Sequence, residues 1–352
     1  MRSDFNILVR DWFAAGNHFM SHVSILRGRG FTLVECLVVM GVVGLLLALS
    51  LPALQRTREA ARRAQCASNL HNIGVAVHNH IAQDGSLPRG HFFRRDGEGS
   101  WDFSDFSPHT RILQHLDQSA LFNSVNFRLG GDVYYGRQEN STAERSRVSV
   151  FLCPSDPEAG AMLRNSYRAN TGPEADPYGA LRRPGFAFGS FTPVYQAIRP
   201  ADFTDGMAQT VLFSERVVGD GTKSKYTPHR DLWYAAKFLP WTVPPADEMA
   251  RLCGSLSDPA PRHHSEMGST WLYSGNDRTF YNHVLTPNSL VPDCGHELLP
   301  EKYAVVTARS YHLGGVQVLL ADGSSRFVGD SIDLPIWRAL GTRSDGITVD
   351  SF

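Results

Sequence analysis

Residues 36–51 read CLVVMGVVGLLLALSL and carry no charge. Extended back to Phe31, the run gains one carboxylate, Glu35. Extended forward, it takes in Pro52, Ala53 and Leu54. That length matches the roughly 20 apolar residues a helix needs to cross a bilayer. It is too long for most signal-peptide cores, and no small-x-small cleavage pattern follows it. Cys36 follows Val34 and Glu35 rather than small residues, which argues against a lipoprotein. One membrane helix near the start is therefore expected, with most of the mass beyond it.

That mass can build a packed core. The chain has 352 residues, 42% of them hydrophobic, enough for one large or two ordinary domains. With 31 Gly and 20 Pro, turns and short strands are favoured over a helical bundle. A formal net charge of -1 leaves no basic footprint for nucleic acid, which is not expected as a partner.

The residues ahead of the apolar run carry chemistry. Arg27-Gly28-Arg29-Gly30 is followed by Phe31-Thr32-Leu33-Val34-Glu35. A carboxylate inside a spanning segment is costly and is a functional candidate by default. The segment G-F-T-L-V-E resembles the processing site of type IV prepilins and type II secretion pseudopilins. The resemblance implies that a prepilin peptidase cuts after Gly30 and methylates the new N-terminus, Phe31. It also implies that Glu35 is the acidic residue needed for assembly with other pilin or pseudopilin subunits. There Glu35 would pair with the cationic N-terminus of a neighbouring Phe31. Gly41, Gly44 and Pro52 fit the same family as points where the helix loosens or bends. Gly44 and Ala48 offer a small-xxx-small face for helix contact.

Charge counting does not orient the span. Arg27 and Arg29 precede it, whereas Arg56, Arg58, Arg62 and Arg63 follow it. The cleavage motif and the long C-terminal portion decide instead for inner-membrane lipid around the helix, with the head in the periplasm or at the cell surface. Met20 offers an alternative start, leaving Met20 to Gly30 as a short leader.

The expected organisation is a leader over 1–30, a membrane and assembly helix over 31–54, an amphipathic continuation over 55–83 and an extracytoplasmic head over 84–352. Ala60, Ala64, Ala67, Leu70, Ile73, Val77 and Ile81 recur at three- and four-residue spacing, as on one helix face. Asp84-Gly85 and Leu87-Pro88 end that helix. Ser107-Pro108 is a helix start. Val148–Leu152, Gln209–Phe213, Tyr303–Thr307 and Val316–Ala321 read as strands. Asp322-Gly323, between two apolar runs, is a hairpin signal. Ile332–Leu340 reads as a short helix closed by Gly341. Residues 217–300 are the least patterned and read as an insertion. The fold class is α+β: a long helix packed on an antiparallel β-sheet head with extended loops.

Further patches resemble one large bacterial family of pilin-like proteins whose C-terminal domain has no settled function. They are Arg62–Leu70, Phe151-Leu152-Cys153-Pro154-Ser155-Asp156, Phe203-Thr204-Asp205-Gly206 running into Thr210–Glu215, and His312-Leu313-Gly314-Gly315. Nine residues separate His312 from Asp322-Gly323. Membership implies the cell envelope and assembly- or secretion-related roles, and implies no known reaction.

Outside the cytoplasm disulfides are permitted. Cys36 reads as a small apolar residue of the span. The other four cysteines allow three pairings. Cys66 with Cys153 is favoured because both lie in the family-like patches and would tie helix to sheet, leaving Cys253 with Cys294. His263, His264, His283, His296 and His312, with Cys253, Cys294, Asp293 or Glu266 nearby, match no standard zinc spacing, so neither metal nor cofactor is expected. His312 reads as a turn-bonding residue, Gly314-Gly315 as backbone freedom, and Asp322 as a turn residue. Asp202 and Asp205 read as turn makers ahead of calcium ligands.

A pilin-like structural subunit is thus the expected function, and no catalytic residue is assigned. Two alternatives are carried. One is a surface binding protein on a pilin-type anchor, with Trp233, Trp241 and Trp271 as contacts. The other is an envelope enzyme using Ser214 or Ser310 with His312.

Overall fold

A computed structural model describes residues 32–90, 92–95, 101–104, 106–129, 136–160, 164–176, 189–191, 197–235, 244–257, 262–297, 303–349 and 352. Gly30, Phe31 and Trp241 lie outside these residues. The chain divides into two compact units, residues 1–55 and 56–352.

Helix α1, Leu33–Asp84, runs 52 residues through both units. Its start is a capping box: the Thr32 N–H and hydroxyl donate to Glu35 Oε2 at 2.8 and 2.9 Å, and the Glu35 N–H donates to Thr32 Oγ1 at 3.2 Å. Its end is Gly85, in the left-handed region at φ 69°, whose N–H returns to the Ile81 carbonyl at 2.8 Å. In the first unit Leu33, Val34, Leu37, Met40 and Leu45–Leu47 are all exposed. The helix is long and apolar enough there to cross a membrane. Pro52 lies within it.

In the second unit α1 becomes part of a core. Cys66, Asn69, Leu70, Ile73, Gly74, Ala76, Val77 and His80 are buried. The buried face thus begins at Cys66, and Ala60 and Ala64 of the expected stripe are exposed. Burying Leu70, Ile73 and Val77 completely contributes roughly 1.5–3 kcal/mol each.

The strands are β1 Phe92–Arg95, β2 Trp101–Ser104, β3 Tyr167–Asn170, β4 Val211–Glu215, β5 Leu232–Ala235, β6 His263–His264, β7 Phe280–Tyr281, β8 Cys294–His296, β9 Ala304–Val305, β10 Gly315–Leu320 and β11 Ser325–Gly329. They form a β1-β2 hairpin, a five-stranded sheet β11-β10-β4-β3-β7 and a four-stranded sheet β6-β5-β8-β9. Side chains alternate across β10. Leu319 joins the core that contains α1, whereas Val316, Val318 and Leu320 join the one that contains Trp337. The Trp337 helix, Leu334–Leu340, therefore covers the opposite face of this sheet.

The expected α+β class is observed, with a mixed rather than purely antiparallel head. β3 pairs β7 and β5 pairs β8 in parallel. Parallel neighbours need long crossovers, and local alternation carries no trace of them. The Asp322-Gly323 turn joins β10 to β11 in an antiparallel ladder from Leu319 opposite Ser325 to Gly315 opposite Gly329. Val148–Leu152 is not a strand but a 3₁₀ turn at Ser149–Phe151. Val148, Phe151 and Leu152 are buried while Ser149 is exposed, a pattern that does not alternate with the strand period of two. The strand expected over Gln209–Phe213 begins two residues later, at Val211–Glu215, after a 3₁₀ turn at Met207–Gln209, and the one expected over Tyr303–Thr307 shortens to Ala304–Val305. Residues 217–300 supply β7 to the larger sheet and β5, β6 and β8 to the smaller one.

Candidate functional site

The anchor presents one polar feature among the described residues of the span's first turn, the Thr32–Glu35 box. An aligned carboxylate at this position also complements the helix dipole.

In the head, side chains from α1, β4 and the Cys153 loop converge on His312, just before β10. Its Nδ1 lies 2.7 Å from Glu59 Oε1 of α1, and its Nε2 lies 3.2 Å from Glu215 Oε1 at the end of β4. Both acceptors are carboxylates, so the ring can donate on both sides as an imidazolium. Burial pushes the His312 pKa down, but Glu215 and Glu59 together push harder the other way and hold it above the ordinary histidine value. Burial raises Glu59, and bonds from His312 and Arg62 more than offset this, leaving it below the usual carboxylate value. Arg62 donates to Glu59 Oε2 at 2.6 Å, and Ser155 Oγ donates from 3.3 Å. Glu215 Oε2 accepts the Gln317 backbone N–H at 2.8 Å.

Beside this triad sits the disulfide of Cys66 and Cys153, with Cα atoms 5.5 Å apart. Cys153 Sγ is 3.5 Å from Glu215 Oε1 and 3.7 Å from His312 Nε2. Ligand-type atoms of Cys66, Cys153, Glu215 and His312 all lie within 4.8 Å of one another, and all four residues are buried. An open groove of about 670 Å³ is lined by Gln65, Asn69, Asn72, Arg147 and Cys153. A cavity of about 10 Å³ borders Cys153, Ser166 and Glu215.

The family-like patches meet around this centre. Asn69 Nδ2 donates to the Leu152 carbonyl at 3.1 Å. Asp156 accepts the Val218 N–H at 2.7 Å and pairs with Arg230 at 2.9 Å. The Arg63 guanidinium stacks 3.3 Å over Phe327 of β11. Gly315 meets the Val328 carbonyl so closely that a Cβ there would approach it to 2.1 Å. Gly314 and Gly323 occupy the left-handed region at φ 84° and 88°. Asp322 Oδ1 accepts the Ser324 N–H at 2.9 Å, a turn role as expected.

Several expectations change. His312 does not bond a turn through its ring; it bridges α1 to β4. The remaining histidines of the metal reading are spread out. His283 stacks on Trp337, bonds the Trp337 carbonyl at 2.6 Å and meets Tyr281 Oη at 2.9 Å. Asp293 is clamped by Arg216 and Arg309 at 2.9 Å each. Cys253 and Cys294 form the second disulfide, the pairing expected from sequence. Asp205 accepts the N–H groups of Asp345 and Gly346 at 2.8 Å, a structural use of both oxygens. Asp202 caps the Arg199 N–H at 2.8 Å. Ser214 Oγ donates to the Gln317 carbonyl, and Ser310 Oγ accepts the His312 backbone N–H. Neither is aligned with the His312 ring as a nucleophile. Trp233 and Trp271 are core residues. Glu59 and Glu215 were not singled out from sequence. Glu215 closes a family-like patch, whereas nothing local marks Glu59.

An N-terminus of this kind on an exposed apolar helix, continuous with a disulfide-tied α+β head, defines a pilin-like protein. Residues 26–51 match the prokaryotic N-terminal methylation motif, which carries prepilin-type processing and assembly with it. Residues 55–335 match the family described as protein of unknown function (DUF1559), and the chain belongs to that family. No curated protein and no solved structure matches it.

Proposed function

We propose that this protein is a structural subunit of a type IV pilus-like or type II secretion pseudopilus-like filament. Prepilin peptidase cuts it after Gly30 and methylates Phe31. The helix from Phe31 to about Leu54 stands in the inner membrane, with the head on the periplasmic side or, after assembly, at the surface. Glu35 then pairs with the methylated amine of a neighbouring subunit, a contact that exists only in the filament. The head carries no catalytic role in this reading.

The observation that supports this most is the division of labour within α1. One continuous helix leaves every large apolar side chain from Leu33 to Leu54 exposed and then, from Cys66, enters the head's core. An exposed apolar stretch of this kind, with Gly44 and Ala48 on one face, is suited to stacking against copies of itself.

The test is mass spectrometry of the mature N-terminus in cells with and without prepilin peptidase. A methylated chain beginning at Phe31 is expected only with the enzyme. A chain still starting upstream of Gly30 in both strains overturns the reading.

A further inference from the structure

We propose that the reduced head binds one zinc-class divalent cation through Cys66 Sγ, Cys153 Sγ, His312 Nε2 and Glu215 Oε1, and that oxidation of the cysteines releases it. Two thiolates, an imidazole and a carboxylate are a donor set suited to Zn²⁺. In a tetrahedral site with bonds of about 2.0–2.3 Å, neighbouring ligand atoms stand about 3.3–3.8 Å apart. Three of the edges already stand near that length. Cys153 Sγ to His312 Nε2 is 3.7 Å, Cys153 Sγ to Glu215 Oε1 is 3.5 Å, and His312 Nε2 to Glu215 Oε1 is 3.2 Å. The sulfur–sulfur edge has to open, and breaking that bond opens it.

The surroundings fit a metal centre as well as the four ligands do. A ligating histidine generally donates its other ring N–H to a carboxylate, which fixes the ring. His312 Nδ1 faces Glu59 Oε1 at 2.7 Å, and Glu59 is itself held by Arg62. Glu215 spends Oε2 on the Gln317 N–H and leaves Oε1 facing the centre. The adjoining cavity of about 10 Å³ is bordered by Ser166, whose buried hydroxyl lacks a partner among the described residues. Cys153 also borders the open groove, which gives reductant and metal a way in.

The exchange balances. A dithiol reductant delivers two electrons and two protons to the Cys66–Cys153 bond and leaves as its own disulfide. Metal entry then displaces both thiol protons, and the Nε2 proton of a charged His312 ring, to solvent. In the releasing direction a disulfide oxidant takes the two electrons from the thiolates and leaves as a dithiol with two protons from solvent, and the metal departs as the Cys66–Cys153 bond forms. A newly made chain begins in the thiol form and needs no reductant. α1 would thus stay tied to the Cys153 loop in either redox state, by a covalent bond or by a metal.

The test uses the full chain in detergent carrying Cys253→Ser and Cys294→Ser, so that one pair remains. It is reduced with dithiothreitol, freed of it under argon, and titrated with Co²⁺ and then Zn²⁺. Expected are one metal per chain, thiolate-to-cobalt charge transfer with tetrahedral visible bands, and displacement by zinc. The unreduced chain should take up none, and adding Cys66→Ser and Cys153→Ser should abolish binding. Glu59→Gln keeps all four ligands and should weaken affinity about 10- to 100-fold. Three results each overturn the assignment. They are no uptake by the reduced chain, unchanged uptake without Cys66 and Cys153, and near-ultraviolet dichroism lost on reduction that zinc does not restore.

Discussion

His312 and Glu59 stand 253 positions apart in sequence and 2.7 Å apart in the fold. Glu59 belongs to the helix that continues from the membrane anchor, and His312 precedes the strand that the helix packs against. Further along, Leu319 and Gly323 pack at Gly74 of the same helix. The segment that opens at His312 and closes at Asp322-Gly323 therefore runs beside α1 in the same direction, touching it at both ends.

Removing the carboxylate at the His312 end should loosen this contact. Glu59→Ala takes an acceptor from His312, Arg62 and Ser155 together. Hydrogen bonds to charged groups contribute about 1.5–3 kcal/mol, and partial solvent exposure of Glu59 lowers that. A loss of about 1–2 kcal/mol is expected in thermal unfolding of the full chain in detergent. Glu59→Gln, which keeps an acceptor oxygen, should lose less. Equal stability of both variants and the parent would mean the bridge contributes nothing.

The adjacent glycines of the signature should respond differently. At Gly315 a Cβ would lie 2.1 Å from the Val328 carbonyl oxygen, and backbone cannot swing aside as a side-chain tip can. Gly315→Ala should cost about 3 kcal/mol or more by overpacking. At Gly314 the space is open but φ is 84°, so Gly314→Ala should cost about 1–2 kcal/mol through conformation alone. Denaturant midpoints measured side by side check the order. A reversed order would remove close strand approach as the reason for Gly315.

Much of this architecture is legible in the sequence because its signals are local. Ser107 caps the Pro108–Ile112 helix as read, accepting the Thr110 N–H. Gly341 ends the Leu334–Leu340 helix, and Asp322-Gly323 turns the hairpin. What escaped is non-local. The parallel pairs β3–β7 and β5–β8 join strands that no short-range pattern relates. His312 could be singled out, but its partners could not, because Glu59 looks like any charge on an exposed helical turn. Val148–Leu152 misled because its apolar and β-branched composition suits a strand as well as a 3₁₀ turn, and the burial of the adjacent Phe151 and Leu152 is set by tertiary packing.

Acid should destabilise the head through two buried histidines. Burial lowers His109 from its ordinary value to about 4, despite its bond to the Tyr167 carbonyl, and lowers His283 to about 3, despite its bond to the Trp337 carbonyl. Between those values and about 6.5 the unfolded chain binds more protons than the folded one, so stability falls as pH is lowered through that window. Each histidine should account for a few kcal/mol, since one pKa unit corresponds to about 1.4 kcal/mol. Urea midpoints near neutrality and at about pH 5 should show the drop. Ring NMR signals of both histidines should stay neutral at the lower pH while the head remains folded. Protonation of either ring in the folded head near its ordinary value would contradict the assignment.

Glu35 separates capping from assembly. Its carboxylate closes the first turn of α1 by accepting both the N–H and the hydroxyl of Thr32. A glutamine at this position of a capping box can accept the same hydrogen bonds, but it has no charge to offer a neighbouring amine. If Glu35 serves only to start the helix, Glu35→Gln should assemble normally and Glu35→Ala should fail. If it pairs with the amine of an adjacent Phe31, both should be cleaved and methylated like the parent, and both should be missing from sheared filaments. The second outcome is expected, because a charge–charge contact between subunits is lost equally in both variants. Western quantification of sheared and membrane fractions, alongside mass spectrometry of the N-terminus, distinguishes the two. Normal incorporation of Glu35→Gln would assign Glu35 to the helix start alone.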